Sequence, residues 1–258
     1  ETDVHDFSQF GRAPSLSIYD TGGIDTLDFS GYSSAQRIDL NAEAFSDVDN
    51  IRGVVSISRG SIIENAIGGS GVDTITGNAA SNELTGGAGN DILDGGAGSD
   101  LVNGANDDDR AIYVTSENVG ATDTYVGGRG IDKLVIDLTQ AESQDPAVQA
   151  EIDAYRQFLV ANTDPVTGEA NNVNAFQFTV FDLSARGFEE VCVLVDGEED
   201  SPVTVNDDAV SINEDGPGQA FASVLANDSA PDGAQTVELL AGPSAGSLTF
   251  NEGAAGSP

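Results

Sequence analysis

Asp73, Asn82, Asp91, Asp100 and Asp109 recur nine residues apart, each closing a run that keeps returning to Gly-Gly-x-Gly-x-(Asp/Asn). A carboxylate or amide oxygen delivered at a fixed interval, beside backbone that glycine frees to aim its carbonyls, is the donor set of a hard cation such as calcium. The units are "GGSGVDTIT" (68–76), "GNAASNELT" (77–85), "GGAGNDILD" (86–94) and "GGAGSDLVN" (95–103), followed by a decayed "GANDDDRAI" (104–112). Their candidate ligands are Gly69, Gly71 and Asp73, then Asn82, then Gly87, Gly89 and Asp91, then Gly96, Gly98 and Asp100, and finally Asp109.

Something must hold those groups in place. Position eight of the four regular units is Ile75, Leu84, Leu93 and Val102. With six residues in a turn and three in a strand, period-two geometry sends position eight to one face and its neighbours to the other. Two units then make one coil, strands stack at about 4.8 Å into two parallel sheets, and the turns fall alternately on two sides. Asp73, Asp91 and Asp109 are expected on one flank, Asn82 and Asp100 on the other. Such a core is thin and glycine turns are entropically costly to order, so the cation is expected to supply the missing stabilisation. A flexible glycine linker is the competing reading, but a linker has no reason to place an aliphatic residue at every eighth position.

Composition narrows the partners. The chain has 44 acidic and 9 basic residues, a net charge of −35, and Lys133 as its one lysine. Nucleic acid and anionic membrane surfaces are excluded as partners, because both need basic patches. Generic solubility or bound cations remain as explanations. Cys192 is the only cysteine, so no internal disulfide forms, and "VCVLV" reads as a core strand around a small hydrophobe. No apolar run is long enough to span a bilayer, and the opening "ETDVHDFSQF" reads as an internal segment in which His5 is an exposed bystander.

Outside the repeat, residues 13–67 read as short strands and tight turns, with a helical turn around "NAEAFSDV". "TDTYVGGRGIDKLVIDL" (122–138) echoes the repeat and adds Gly128, Gly130 and Asp132 as candidates. A helix is expected over 145–161, with Asp145 as N-cap, Pro146 in its first turn, and Val148, Ile152, Tyr155 and Leu159 on its apolar face. "FQFTVFDL" (176–183) and "EEVCVLVDG" (189–197) read as strands. From about 200, strands some ten residues apart with Asp, Asn, Gly and Pro turns suggest a β-sandwich cut short of the roughly 100 residues such a module needs. The expected fold is mainly β: a lead-in over 1–67, a parallel β-roll over 68–112, a small α+β connecting module over 113–199, and a partial Ig- or cadherin-like sandwich over 200–258.

The repeat resembles that of RTX, or hemolysin-type, calcium-binding proteins. More broadly, "SIYDTGGIDTLDFSGYSSAQRIDLNAEAFSDV" and "VSISRGSIIENAIGGSG" are similar to the C-terminal domain of serralysin metalloproteases. That resemblance implies calcium ligation by Asp20, Gly22, Gly23 and Asp25, with Glu64 as a partner. The Arg-x-Gly-Thr-like stretch that completes this site in the family is absent before Asp20. It also implies export through a type I secretion channel and folding outside the cell. "NDDAVSINEDGP" and "VLANDSAPDG" resemble cadherin-like or VCBS-like modules, which implies Asp208, Asp228 and Asp232 as further ligands. A serralysin zinc centre needs a His-Glu-x-x-His helix, a third histidine and a methionine turn. This chain has one histidine and no methionine, so it is expected to be non-catalytic. The expectation is a calcium-folded structural segment, holding several calcium ions, of a large secreted or cell-surface bacterial repeat protein such as an adhesin, with neighbouring modules or a surface ligand as further partners. The alternative is the C-terminal accessory and secretion region of a zinc metalloprotease whose catalytic domain lies upstream.

Overall fold

The computed structural model describes residues 3–7 and 12–199. The sandwich expected over 200–258, with Asp208, Asp228 and Asp232, lies outside the described residues. The first strands are β1 (Val4–Asp6), β2 (Leu16–Ile18), β3 (Thr26–Asp28), β4 (Arg37–Asp39), β5 (Phe45–Val48), β6 (Ile51–Ile57) and β7 (Asn65–Ile67). The repeat contributes β8 (Thr74–Thr76), β9 (Glu83–Ala88), β10 (Ile92–Asp94), β11 (Leu101–Asn106) and β12 (Arg110–Val114). Then come β13 (Asp123–Arg129) and β14 (Lys133–Leu138), helices α1 (Gln140–Ser143) and α2 (Pro146–Asn162), and β15 (Phe176–Gln177), β16 (Leu183–Arg186), β17 (Glu190–Val195) and β18 (Glu198–Glu199).

From β7 to β14 the chain alternates strictly between two sheets, one ordered β1-β3-β7-β9-β11-β13-β16-β15, the other β18-β17-β14-β12-β10-β8-β4-β5-β6-β2. This is the coil of a parallel β-roll. Position eight stacks in register: Leu27, Ala66, Leu84, Val102 and Tyr125 down one sheet, Ile38, Ile75, Leu93, Ala111 and Leu134 down the other. Every one of these side chains is buried. The lead-in and the segment after 113 add strands to the same two sheets rather than packing beside them. In the repeat, strands of the first sheet run on into the following turn, so β9 and β11 have six residues where β8 and β10 have three.

The helical turn expected at "NAEAFSDV" is instead β5, antiparallel to β6. Asp49 and Asn50, at φ of 55° and 59°, form the tight turn between Val48 and Ile51. Two successive left-handed residues match the twist of a two-residue hairpin, and Asp and Asn tolerate that region better than most.

Asp145 caps α2 by accepting from Ala147 N at 2.8 Å, and the helix buries Val148, Ile152, Tyr155 and Leu159. Tyr155 packs against Phe176 and Phe178 at ring-centroid distances of 5.2 and 4.9 Å. The single strand expected over 176–183 is therefore divided. Phe176–Gln177 and Leu183–Arg186 pair antiparallel, and the intervening turn presents Phe178 and Phe181 as a stacked pair. At β12 and β13 the aliphatic core gives way to aromatic rings, with Tyr113 edge-on to Tyr125 at 5.7 Å. Cys192 is half-buried in β17 rather than a core residue. His5, read as an exposed bystander, is half-buried in β1 opposite Leu27.

Candidate functional site

Each turn of the roll hands its position-six side chain to the turn stacked on it. Asp73 N donates to Asp91 Oδ1, Asp91 N to Asp109 Oδ1, and Asp109 N to Asp132 Oδ1, all at 2.8 Å. The ladder starts with Gln36 N on Asp73 Oδ1 at 2.8 Å and finishes with Asp132 N on Glu189 Oε2 at 2.5 Å. On the opposite flank Asn82 N donates to Asp100 Oδ1 and Asp100 N to Asp123 Oδ1, again at 2.8 Å. Nearer the N-terminus, Asp3 N donates to Asp25 Oδ1 and Asp25 N to Glu64 Oε2, both at 2.8 Å.

The second oxygen of these carboxylates is the informative one. Oδ2 of Asp25, Asp91, Asp100, Asp109, Asp123 and Asp132 is buried with no hydrogen-bond donor. A buried polar atom left in that state costs about 1–3 kcal/mol. Beside each Oδ2 in the repeat sits the first glycine of its turn. A Cβ on Gly86 would lie 2.7 Å from Gly104 O and collide with Asp91 Oδ2; one on Gly104 would lie 2.5 Å from Gly127 O and collide with Asp109 Oδ2. A Cβ on Gly95 would sit 2.6 Å from Asp100 Oδ2. At Gly86 and Gly104 carboxylate and carbonyl oxygens thus converge on a small space that a side chain would fill, and at Gly95 the Tyr125 hydroxyl takes the place of the carbonyl. Gly89 and Gly98, at φ of 102° and 116°, fold the turn into this shape, and Gly87, Gly96, Gly128 and Gly130 also have positive φ.

Burial raises Asp91, Asp100 and Asp132 to about 7 and Asp109 to about 8, with neighbouring carboxylates adding to the shift. Asp123 rises to about 6 for the first of these reasons. Among the described residues no three His, Cys, Asp or Glu side chains converge as a metal-binding group. A cation held here therefore takes backbone carbonyls as well as carboxylates, an all-oxygen set that suits calcium.

Two position-six residues differ. Asn82 is satisfied by protein alone, its Oδ1 accepting from Asn78 N and its Nδ2 donating to Glu64 O, both at 2.7 Å. Asp73 Oδ2 accepts from Gly69 N at 2.7 Å, and Gly69 and Gly71 pack against the backbone of Tyr32 and Ser34. Of the residues implied by resemblance, Asp25 and Glu64 join a flank. Asp20 does not: its carboxylate accepts from Gly22 N at 2.9 Å within its own turn, which Gly23 continues. Asp123, Gln36 and Glu189 were missed in the sequence. The signal for Asp123 was the triple Asp-Thr-aromatic/aliphatic, shared by Asp25-Thr26-Leu27 and Asp73-Thr74-Ile75.

Residues 12–210 match the family described as Peptidase M10 serralysin C terminal. Over 71 residues, 28% of this chain, the sequence is 52% identical to Serralysin C of Dickeya chrysanthemi. It is 61% identical over 56 residues, 22% of the chain, to Serralysin of Photorhabdus laumondii subsp. laumondii. The matched stretches span only 15% and 12% of those relatives' lengths. With a β-roll, two flanks of stacked carboxylates and a match over most of its length, the chain belongs to the peptidase M10 serralysin C-terminal family.

Proposed function

We propose that this chain is a calcium-binding segment whose β-roll is completed by the ions it holds. The observation that carries the reading is the set of buried Oδ2 atoms without donors, of which those of Asp91, Asp109 and Asp132 lie beside a backbone carbonyl in a space that a Cβ would fill. Bound calcium would neutralise the carboxylates and satisfy oxygens that the protein leaves unmet. Asp91, Asp100, Asp109, Asp123 and Asp132 would hold it, together with turn carbonyls. The protein's own part is to align these oxygens, through the Oδ1 ladder, and to keep water from them. An ion that binds only the folded form stabilises it by mass action, and weak sites of this class operate at extracellular calcium concentrations.

The family match favours a secreted serralysin-type protein as the parent, with this chain as a non-catalytic C-terminal region. The adhesin first expected from the sequence rests on residues 201–258, which lie outside the described residues. Among the described residues no helix is long and apolar enough to cross a membrane.

Far-UV circular dichroism of the chain, titrated with calcium from chelator to ~10 mM with magnesium as control, tests the reading. A cooperative gain of β signal with calcium alone is expected. A spectrum already complete in chelator and indifferent to calcium would overturn it.

A further inference from the structure

The first flank ends differently from the way it runs. Leu183 pairs with Asp123, and Glu189 stands opposite Asp132. These two residues are six positions apart, whereas Asp73 and Asn82, at the ends of a complete half-coil, are nine apart. Three turn residues are missing. The loop that follows α2 occupies their place: Asn172 Nδ2 donates to Gly128 O, and Ala170 N donates to Glu189 Oε1. The Asn172 carboxamide lies so close to Gly187, at φ of 68°, that a Cβ on that glycine would collide with it.

Beneath this loop the cation-seeking geometry persists. Asp132 is 0% exposed, and its Oδ2 has no donor. A Cβ on Gly127 would lie 2.7 Å from Asp132 Oδ2 and collide with Gly187 O, the same convergence seen between Asp109 and Gly127. Glu189 itself has both oxygens engaged, Oε2 by Asp132 N and Oε1 by Ala170 N, so the ladder stops there.

We propose that Asp132 Oδ2 and Gly187 O belong to a terminal calcium site whose outer wall is the loop of residues 170–172, so that the last ion fastens the helical insertion to the roll. This rests on the calcium reading above and adds a composite site, built from a shortened turn and a loop distant in sequence. Occupancy at this point couples the docking of the loop after α2 to calcium, separately from the repeat turns.

Hydrogen exchange of the full 258-residue chain, in chelator, calcium or magnesium, separates the two ideas. Where local opening releases the ion, protection rises by 1 + [Ca]/Kd, about tenfold at calcium ten times Kd. The expected result is calcium-dependent protection of both 68–112 and 163–174. Asp132→Asn should remove it from 163–174 while leaving it in 68–112. Should Asp132→Asn fail to fold, Asn172→Ala takes away the wall without touching a buried charge, and should lower calcium-dependent protection of 163–174 alone. Protection of the repeat with no calcium effect at 163–174 in the unmodified chain overturns the terminal site. So does an Asn172→Ala variant whose calcium response at 163–174 is unchanged. No calcium effect in either segment overturns the underlying reading as well.

Discussion

Asp109 and Asn82 occupy the same place in the repeat and solve the same problem in opposite ways. Asn82 is neutral and fully hydrogen-bonded; Asp109 is buried with one oxygen unmet and its carboxyl pushed up to about 8 by burial first and by nearby carboxylates second. Asp109→Asn should therefore act with opposite sign in the two conditions. In chelator it replaces a carboxyl that must take up a proton to be buried with a neutral amide whose Nδ2 faces Gly127 O, and should stabilise the fold by about 1–3 kcal/mol. In calcium it should weaken binding, read as a higher calcium midpoint in a titration and a lower denaturation midpoint at fixed calcium. Equal and same-signed shifts in both conditions would contradict the assigned role. Position six and position eight were legible in the sequence because each is a side-chain choice repeated at a fixed interval. Asp123 was not, since "GATDTYV" lacks the paired glycines, and Glu189 was not, since three residues of its turn are missing and its partner loop lies at Ala170 and Asn172.

Turns and strands carry the next level of control. The first glycine of a unit is a requirement of packing: at Gly104 a Cβ would meet Gly127 O at 2.5 Å and Asp109 Cβ at 2.7 Å. Gly104→Ala should cost about 1–3 kcal/mol by overpacking and should also abolish binding at Asp109. Gly120 is the contrast. It has φ of 80° with nothing within 4 Å of its Cβ position, so Gly120→Asn should be nearly silent, because Asn tolerates left-handed backbone. Thermal melts of both variants with and without calcium check the pair. Sequence pattern failed at this level where tertiary contact overruled local preference. "NAEAFSDV" has residues that suit a helical turn, yet Phe45–Val48 pairs with β6. The run 176–183 alternates like one strand, yet Phe178 and Phe181 turn out of line to pack as a stacked aromatic pair.

On both flanks of the roll the stacked carboxylates are pushed up in the same direction by burial. Burial holds Asp91, Asp100 and Asp132 near 7, Asp109 near 8 and Asp123 near 6, all above the ordinary carboxylate range of about 4 in an unfolded chain. Between pH ~4 and ~8 the unfolded chain has released protons that the calcium-free fold retains, so stability in chelator should fall as pH rises through this window. Calcium must displace those protons, and its affinity should rise over the same span. Calorimetry in buffers of different ionisation enthalpy should show proton release on binding near pH 6.5, and calcium binding without it would sink the assignment. What the sequence left unreadable at this scale was how the roll absorbs irregular lengths. Asp100 and Asp123 are 23 residues apart, as are Asp109 and Asp132, yet their hydrogen bonds match the 2.8 Å of pairs spaced by 18. The extra residues form a turn anchored by the buried side chains of Thr115 and Asn118, and Val119 at its tip is 86% exposed. The molecule works as a rack of fixed pitch with removable spacers: a reporter peptide grafted between Val119 and Gly120 would hang outside the rack, at a tip of the kind that tolerates insertion.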